Sequence, residues 1–253
     1  MISRLSSYIP IELAARQGSY PGRMPLTILW DIDHTLIDNA GISKEIYSAA
    51  FRALAGVRPA GAAVTEGRTD RLIMKEMFLR HHLPEPGWAA VEAALAQAGE
   101  ERTDALRSRG AVLPGVREAL KAASAQNGWT SSVLTGNIAA NARVKLSAFG
   151  LDPLLDLTVA AYGADAVHRP ELVAVARERV RLRYGPTDDI PIVLVGDTPR
   201  DVEAALSSGC RIVAVATGIH TQAELAAAGA TIVLPDLSDT AGLIELLETF
   251  QAP

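Results

Sequence analysis

The stretch Thr27–Asn39, "TILWDIDHTLIDN", begins as an apolar run and ends among acidic residues. Ile28, Leu29 and Trp30 read as a strand buried on both faces, because nothing polar interrupts them. Asp31 and Asp33 fall where that strand should end. Burying a carboxylate is expensive unless something pairs with it. The stretch therefore asks what those two aspartates hold or do. Asp38, the third acid, reads as part of a hinge.

The same grammar recurs along the chain: an apolar run, a polar turn, then a helix-period segment. "WTSSVLTGN" (129–137) leads into "IAANARVKLSAFG", whose Ile138, Ala142, Leu146 and Phe149 share one helical face. "DLTVAAYG" (156–163) precedes a helix opened by Pro170, and "PIVLVGDT" (191–198) precedes one that Gly209 closes. "RIVAVATG", "TQAELAAAG", "TIVLP" and "DTAGLIELLETF" complete the alternation. Unbroken apolar strands alternating with helices imply an α/β fold with a parallel sheet covered on both faces. Between Gly41 and Arg109 the pattern changes to helix-like segments without a convincing strand. The expected layout is a Rossmann-like parallel-sheet core over 24–40 and 110–253, with an all-helical cap inserted at 41–109. Residues 1–23, broken by Pro10, Pro21 and Gly22, read as an N-terminal extension.

Composition narrows the function classes. A chain of 253 residues with 49% hydrophobic and 21% charged residues can bury a real core. Its net charge of -5, with no Lys/Arg block, argues against a nucleic-acid partner. No apolar stretch approaches the roughly 18 residues of a membrane span. The single cysteine, Cys210, excludes an internal disulfide and a multi-cysteine zinc site; it reads as core and fits a reducing cytoplasm. Oligomeric state has no signal in the sequence.

In an open parallel sheet, ligands bind beyond the carboxyl ends of the strands. The residues there are Asp31 and Asp33, then Thr135, Gly136 and Asn137, then Asp197 with Asp201 four residues on. Four carboxylates cannot share a cleft unless a cation joins them or some are protonated. Oxygen-only ligation points to Mg²⁺, which suits a few carboxylates together with a substrate phosphate.

The ordered motifs "DIDHT", "LTGN", an Arg-Pro pair and "GDTPRD" resemble the haloacid dehalogenase superfamily, with "VLPGVREAL" and "GRTD" similar to its phosphoglycolate-phosphatase-type members. The resemblance covers residues 25–250. It implies a Mg²⁺-dependent phosphomonoester hydrolase acting on a small phosphorylated metabolite, phosphoglycolate being the leading guess. Asp31 would be the nucleophile and Asp33 the acid and then the base. Thr135 and the amides of Gly136 and Asn137 would hold phosphoryl oxygens. Asp31, the Asp33 carbonyl and Asp197 would bind the metal, and Asp201 would support it. Two cations compete to neutralise the phosphate: Arg169, where the family has lysine before proline, and Lys145 on the next helix. Arg68 is a candidate contact for the leaving group, although "GRTD" also reads as a helix start. His34 stands where the family often has glycine. The second aspartate, Asp33, separates this reading from dehalogenases and phosphonate hydrolases, although the Arg-Pro pair resembles the latter. A phosphomutase, or a non-catalytic binder of phosphorylated ligands, would also suit these motifs.

Overall fold

The computed structural model describes residues 25–185 and 190–251, so the expected extension at 1–23 lies outside it. Its strands are β1 (Leu26–Trp30), β2 (Ile37–Asp38), β3 (Ala111–Val112), β4 (Trp129–Val133), β5 (Ile192–Gly196), β6 (Arg211–Val215) and β7 (Val233–Leu234). Five of them form one parallel sheet in the order β4-β1-β5-β6-β7. Strand β1 lies inside the sheet between β4 and β5, and all five of its residues are buried.

Alternation along the strands divides the core into two layers. Ile28, Trp30, Val193 and Val195 face helices α5 (Val116–Ser124), α6 (Ala139–Ala148) and α10 (Thr240–Thr249). Leu29, Ile192 and Leu194 face α7 (Arg169–Tyr184), α8 (Pro199–Ser207) and α9 (Gln222–Ala227). Cys210 is buried in this second layer, as its setting in the sequence implies. The indole of Trp30 donates to Ser131 Oγ at 2.8 Å, so the polar edge of this core aromatic is satisfied. Among the described residues, no helix is long and apolar enough to cross a membrane.

The segment "DLTVAAYG" departs from expectation. It contributes one bridge, Leu134 to Ala161, rather than a strand. Asp156 accepts from both the amide and the hydroxyl of Thr158, an Asx turn that bends the run at its start. The Asp156 amide donates to Ser131 O before the turn, and beyond it Ala161 forms the bridge, its amide donating to Val133 O and its carbonyl accepting from Thr135 N.

Between β2 and β3 lie four helices: α1 (Ile42–Ala55), α2 (Asp70–Arg80), α3 (Trp88–Glu100) and α4 (Thr103–Arg109). Strands β2 and β3 pair antiparallel at the neck of this insertion, a two-residue ribbon too short to announce itself in sequence. The helices enclose their own apolar cluster, including Ile46, Phe51, Met74, Phe78 and Leu95, and Ile138 of the sheet domain joins it.

The start of α2 fastens the insertion to the sheet domain. Thr69 accepts from Leu72 N as the helix N-cap and donates to Val167 O at 2.6 Å. Asp70 donates its amide to Gly136 O at 2.7 Å and accepts from Ile138 N at 2.7 Å and from the Tyr47 hydroxyl at 2.5 Å. Burial raises the Asp70 carboxyl to about 6, against the lowering pull of these two donors. A Cβ on Gly136 would stand 2.0 Å from the Arg68 carbonyl oxygen, so this close approach requires glycine.

Gly136→Ala should therefore lower stability by about 1–3 kcal/mol in urea unfolding. Gly61→Ala, with nothing within 4 Å of the added methyl, should not destabilise the protein. Equal midpoints for the two variants would refute the contact.

Candidate active site

Three parallel strands deliver the candidate residues to one edge. The Asp31 amide donates to Val195 O at 2.9 Å, extending the β1–β5 ladder by one residue before the strand ends. Leu134 N donates to Trp30 O at 2.9 Å and brings Thr135 alongside. Asp197 follows β5 directly, and Asp201 lies in the first turn of α8. These ends form one side of a cleft lined by Asp31, Asp33, His34, Thr135, Gly136, Asn137, Arg169 and Asp197. The insertion closes the other side with Asn39, Ser43, Tyr47 and Thr65–Arg68.

The carboxylates separate into two groups. Asp31, Asp197 and Asp201 bring oxygen atoms within 4.8 Å of one another, and all three are buried. Arg169 bridges two of them, Asp31 Oδ1 at 3.0 Å and Asp201 Oδ1 at 2.5 Å. Burial opposes the guanidinium charge, but Asp201 and Asp31 hold it firmly protonated. Three carboxylates against one guanidinium leave two negative charges uncompensated. Burial accordingly pushes Asp31 up to about 6 and Asp197 well above its usual range, and the neighbouring carboxylates add to both shifts. This deficit and the hard oxygen donors fit a divalent cation. Asp201 has little left to offer one directly, since its Oδ2 accepts from the amide and hydroxyl of Thr198 in the α8 capping box.

Asp33 points elsewhere. Lys145 Nζ lies 2.8 and 2.6 Å from its two carboxylate oxygens and also donates to Ser43 Oγ at 2.7 Å and Asn137 Oδ1 at 2.6 Å. Burial alone would raise Asp33, but the Lys145 charge and the donors on Lys145, Asn137 and Asn39 outweigh it and lower the carboxyl to about 2. The Asp33 carbonyl oxygen accepts no hydrogen bond among the described residues, which leaves it free for a ligand.

Expected as a substrate-binding cation, Lys145 does not line the cleft; it is 1% exposed and sits behind Asp33. Helical periodicity gives no sign of this, because the partner lies 112 residues away. Asn137 spends its side chain on the same network, donating 2.8 Å bonds to Asp33 and Thr135. The Thr135 oxygen also accepts from Asn137 N at 3.3 Å, so its own hydrogen is free to donate into the cleft. Arg68 does line the cleft and is ion-paired with Glu76.

His34 has φ of 61°, the left-handed region. A side chain there costs roughly 1–2 kcal/mol relative to glycine, although histidine tolerates it better than most residues. Its amide donates to Ile37 O at 2.7 Å, and its carbonyl accepts from the Thr217 hydroxyl, so the turn is fixed from two directions.

Residues 28–206 match the haloacid dehalogenase-like hydrolase family. "Probable phosphatase IndB" from Dickeya dadantii (strain 3937) is 33% identical over 138 residues, 54% of this chain and 58% of that protein. The chain thus matches little more than half the length of this curated relative. A hydrolase from Pseudomonas syringae superposes with a TM-score of 0.62 at 21% identity, covering 88% of this chain and 98% of that one. A predicted phosphoglycolate phosphatase from Haemophilus somnus 129pt gives 0.61 at 19% identity, over 89% and 100% of the two chains. At these identities the superpositions establish the fold.

Removing one member of a buried ion pair strands the other. Lys145→Met should cost about 3 kcal/mol in denaturant unfolding, the lower end of the usual range because the Asp33 side chain is 23% exposed. Adding Asp33→Asn to that variant should restore part of the loss. Strictly additive losses in the double-mutant cycle would contradict the pairing.

Proposed function

We propose that this chain, which belongs to the haloacid dehalogenase-like hydrolase family, is a phosphatase that hydrolyses monoesters of small metabolites through a phosphoryl-Asp31 intermediate. The observation that carries this reading is the division of the aspartates. Asp31 sits beside a guanidinium in an acidic cluster short of positive charge, while Asp33, two residues on, belongs to a separate network.

An Asp31 carboxylate oxygen attacks phosphorus, and the bond to the ester oxygen breaks as Asp33 gives that oxygen a proton. Asp33 then takes a proton from water, whose oxygen attacks the acyl phosphate, releasing inorganic phosphate and regenerating Asp31. The ionised Asp33 of this structure is ready for the second step. An arriving phosphate dianion, by adding negative charge nearby, favours the protonated form that the first step needs.

Thr135 donates its free hydrogen to a phosphoryl oxygen. Arg169 supplies the countercharge, and its buried Nε, which has no acceptor among the described residues, is a donor still to be used. The carboxylates of Asp31 and Asp197 and the Asp33 carbonyl would hold Mg²⁺, with Asp201 anchoring Arg169 behind them. Bound there, the ion would offset the charge of both nucleophile and phosphate.

Turnover of 4-nitrophenyl phosphate by the purified protein should depend on added Mg²⁺, stop with EDTA, and fall at least about a thousandfold in Asp31→Asn. Asp33→Ala should lose about a hundredfold or more on alkyl phosphates and less on the activated aryl ester, whose leaving group needs no proton. A panel of phosphometabolites, headed by phosphoglycolate on the family resemblance, identifies the substrate. A wild-type protein silent across that panel with Mg²⁺ would reject the reading.

A further inference from the structure

The polar side chains lining the insertion side of the cleft are nearly all committed to protein partners. Asn39 donates to Asp33 and accepts from Gly41 N. Ser43 is held between Lys145 and Asp33, and the Tyr47 hydroxyl donates to Asp70. Thr65 and Lys44 both bond Glu66, while Arg68 is paired with Glu76. The charges on the insertion side are therefore matched before any substrate arrives.

His34, across the cleft on the sheet side, is uncommitted. It lines the same cleft, it is partly exposed, and its imidazole makes no hydrogen bond or ion pair among the described residues. The backbone beneath it is left-handed, a conformation glycine would adopt without strain. Thr217 grips its carbonyl, and Gly218, which packs hardest against the Asp197 carboxylate, also borders the His34 Cβ, 3.3 Å from where its own Cβ would stand. The next residue, Ile219, is 67% exposed and lines the cleft too. The fold thus holds a ring in a costly position, supports it from behind, and gives it nothing in the protein to bond. A strained residue at a ligand cleft, over-determined by its surroundings, is the setting in which strain accompanies a functional contact.

We propose that His34 is a substrate-contacting specificity residue: its imidazole hydrogen-bonds the leaving alcohol portion of the phosphate ester, with Ile219 covering an apolar edge of the same group. This assignment rests on the phosphatase reading and deepens it. The substrate class it selects is a monoester whose alcohol carries a hydroxyl, carbonyl or carboxylate beyond the ester oxygen. The aryl ester offers the imidazole only the weakly accepting nitro oxygens at the far end of its ring.

The test uses the full-length protein with Mg²⁺ and the variants His34→Gly and His34→Asn, both of which accept a left-handed backbone. The substrates are phosphoglycolate, hexose and pentose phosphates, nucleoside monophosphates and 4-nitrophenyl phosphate. Thermal midpoints at or above that of the wild type are expected, since strain is relieved, and they show that both variants fold. In His34→Gly, kcat/KM for the best metabolite should fall at least tenfold further than kcat/KM for the aryl ester, chiefly through KM. His34→Asn, which keeps a shorter hydrogen-bonding group, should fall between wild type and His34→Gly. If His34→Gly keeps the wild-type ranking, with equal losses on metabolite and aryl ester, the assignment is wrong while the phosphatase reading stands. A wild type inactive on every ester removes both.

Discussion

Balancing buried negative charge is the constraint on which the rest of this structure depends. The C-terminal edge of one parallel sheet gathers Asp31, Asp33, Asp197 and Asp201 within a site largely removed from water. Such a collection is tolerable only with cations among it. The fold supplies two, Arg169 and Lys145, each almost fully buried. Burial raises Asp31 and Asp197, and two positive charges against four negative ones leave a deficit that adds to the shift. The same deficit makes the site receptive to a divalent ion.

Much of this edge is legible in the sequence, and the reason is local. Asp31, Asp33, Thr135 and Asp197 each end an apolar run, and parallel-sheet topology sends such ends to one place. What is not legible is long-range. Lys145 lies on a helix whose polar positions look alike, and only the folded chain shows which of them meets Asp33. Tyr47 and Asp70, far apart in sequence, carry no motif for the contact they make. The run 156–163 is apolar enough for a strand, but an Asx turn and a place beside the outer strand β4 leave it a single bridge.

The helical insertion is more than a cover. Asp70 clasps the turn that follows β4, donating to Gly136 O and accepting from Ile138 N. That turn carries Thr135 and Asn137, so the residues proposed to hold phosphate are positioned partly by the insertion. "GRTD" therefore belongs to helix capping and fastening at Thr69 and Asp70, while Arg68 alone reaches the cleft wall from this motif's side chains.

The two buried cations are not interchangeable. Arg169 NH2 reaches Asp31 and Asp201, which approach from different elements. A planar guanidinium keeps further donors beyond the one engaged, and its Nε is still unspent. A lysine there would carry all its donors on one nitrogen, whereas the guanidinium spreads them over three. Lys145 answers the opposite demand. Its compact ammonium meets Asp33, Ser43 and Asn137 at once. The arginine at the proline-linked position and the lysine on α6 thus form one arrangement. The first answers the group around Asp31, and the second takes charge of Asp33, which keeps the two aspartates of the opening motif electrically distinct although one residue separates them.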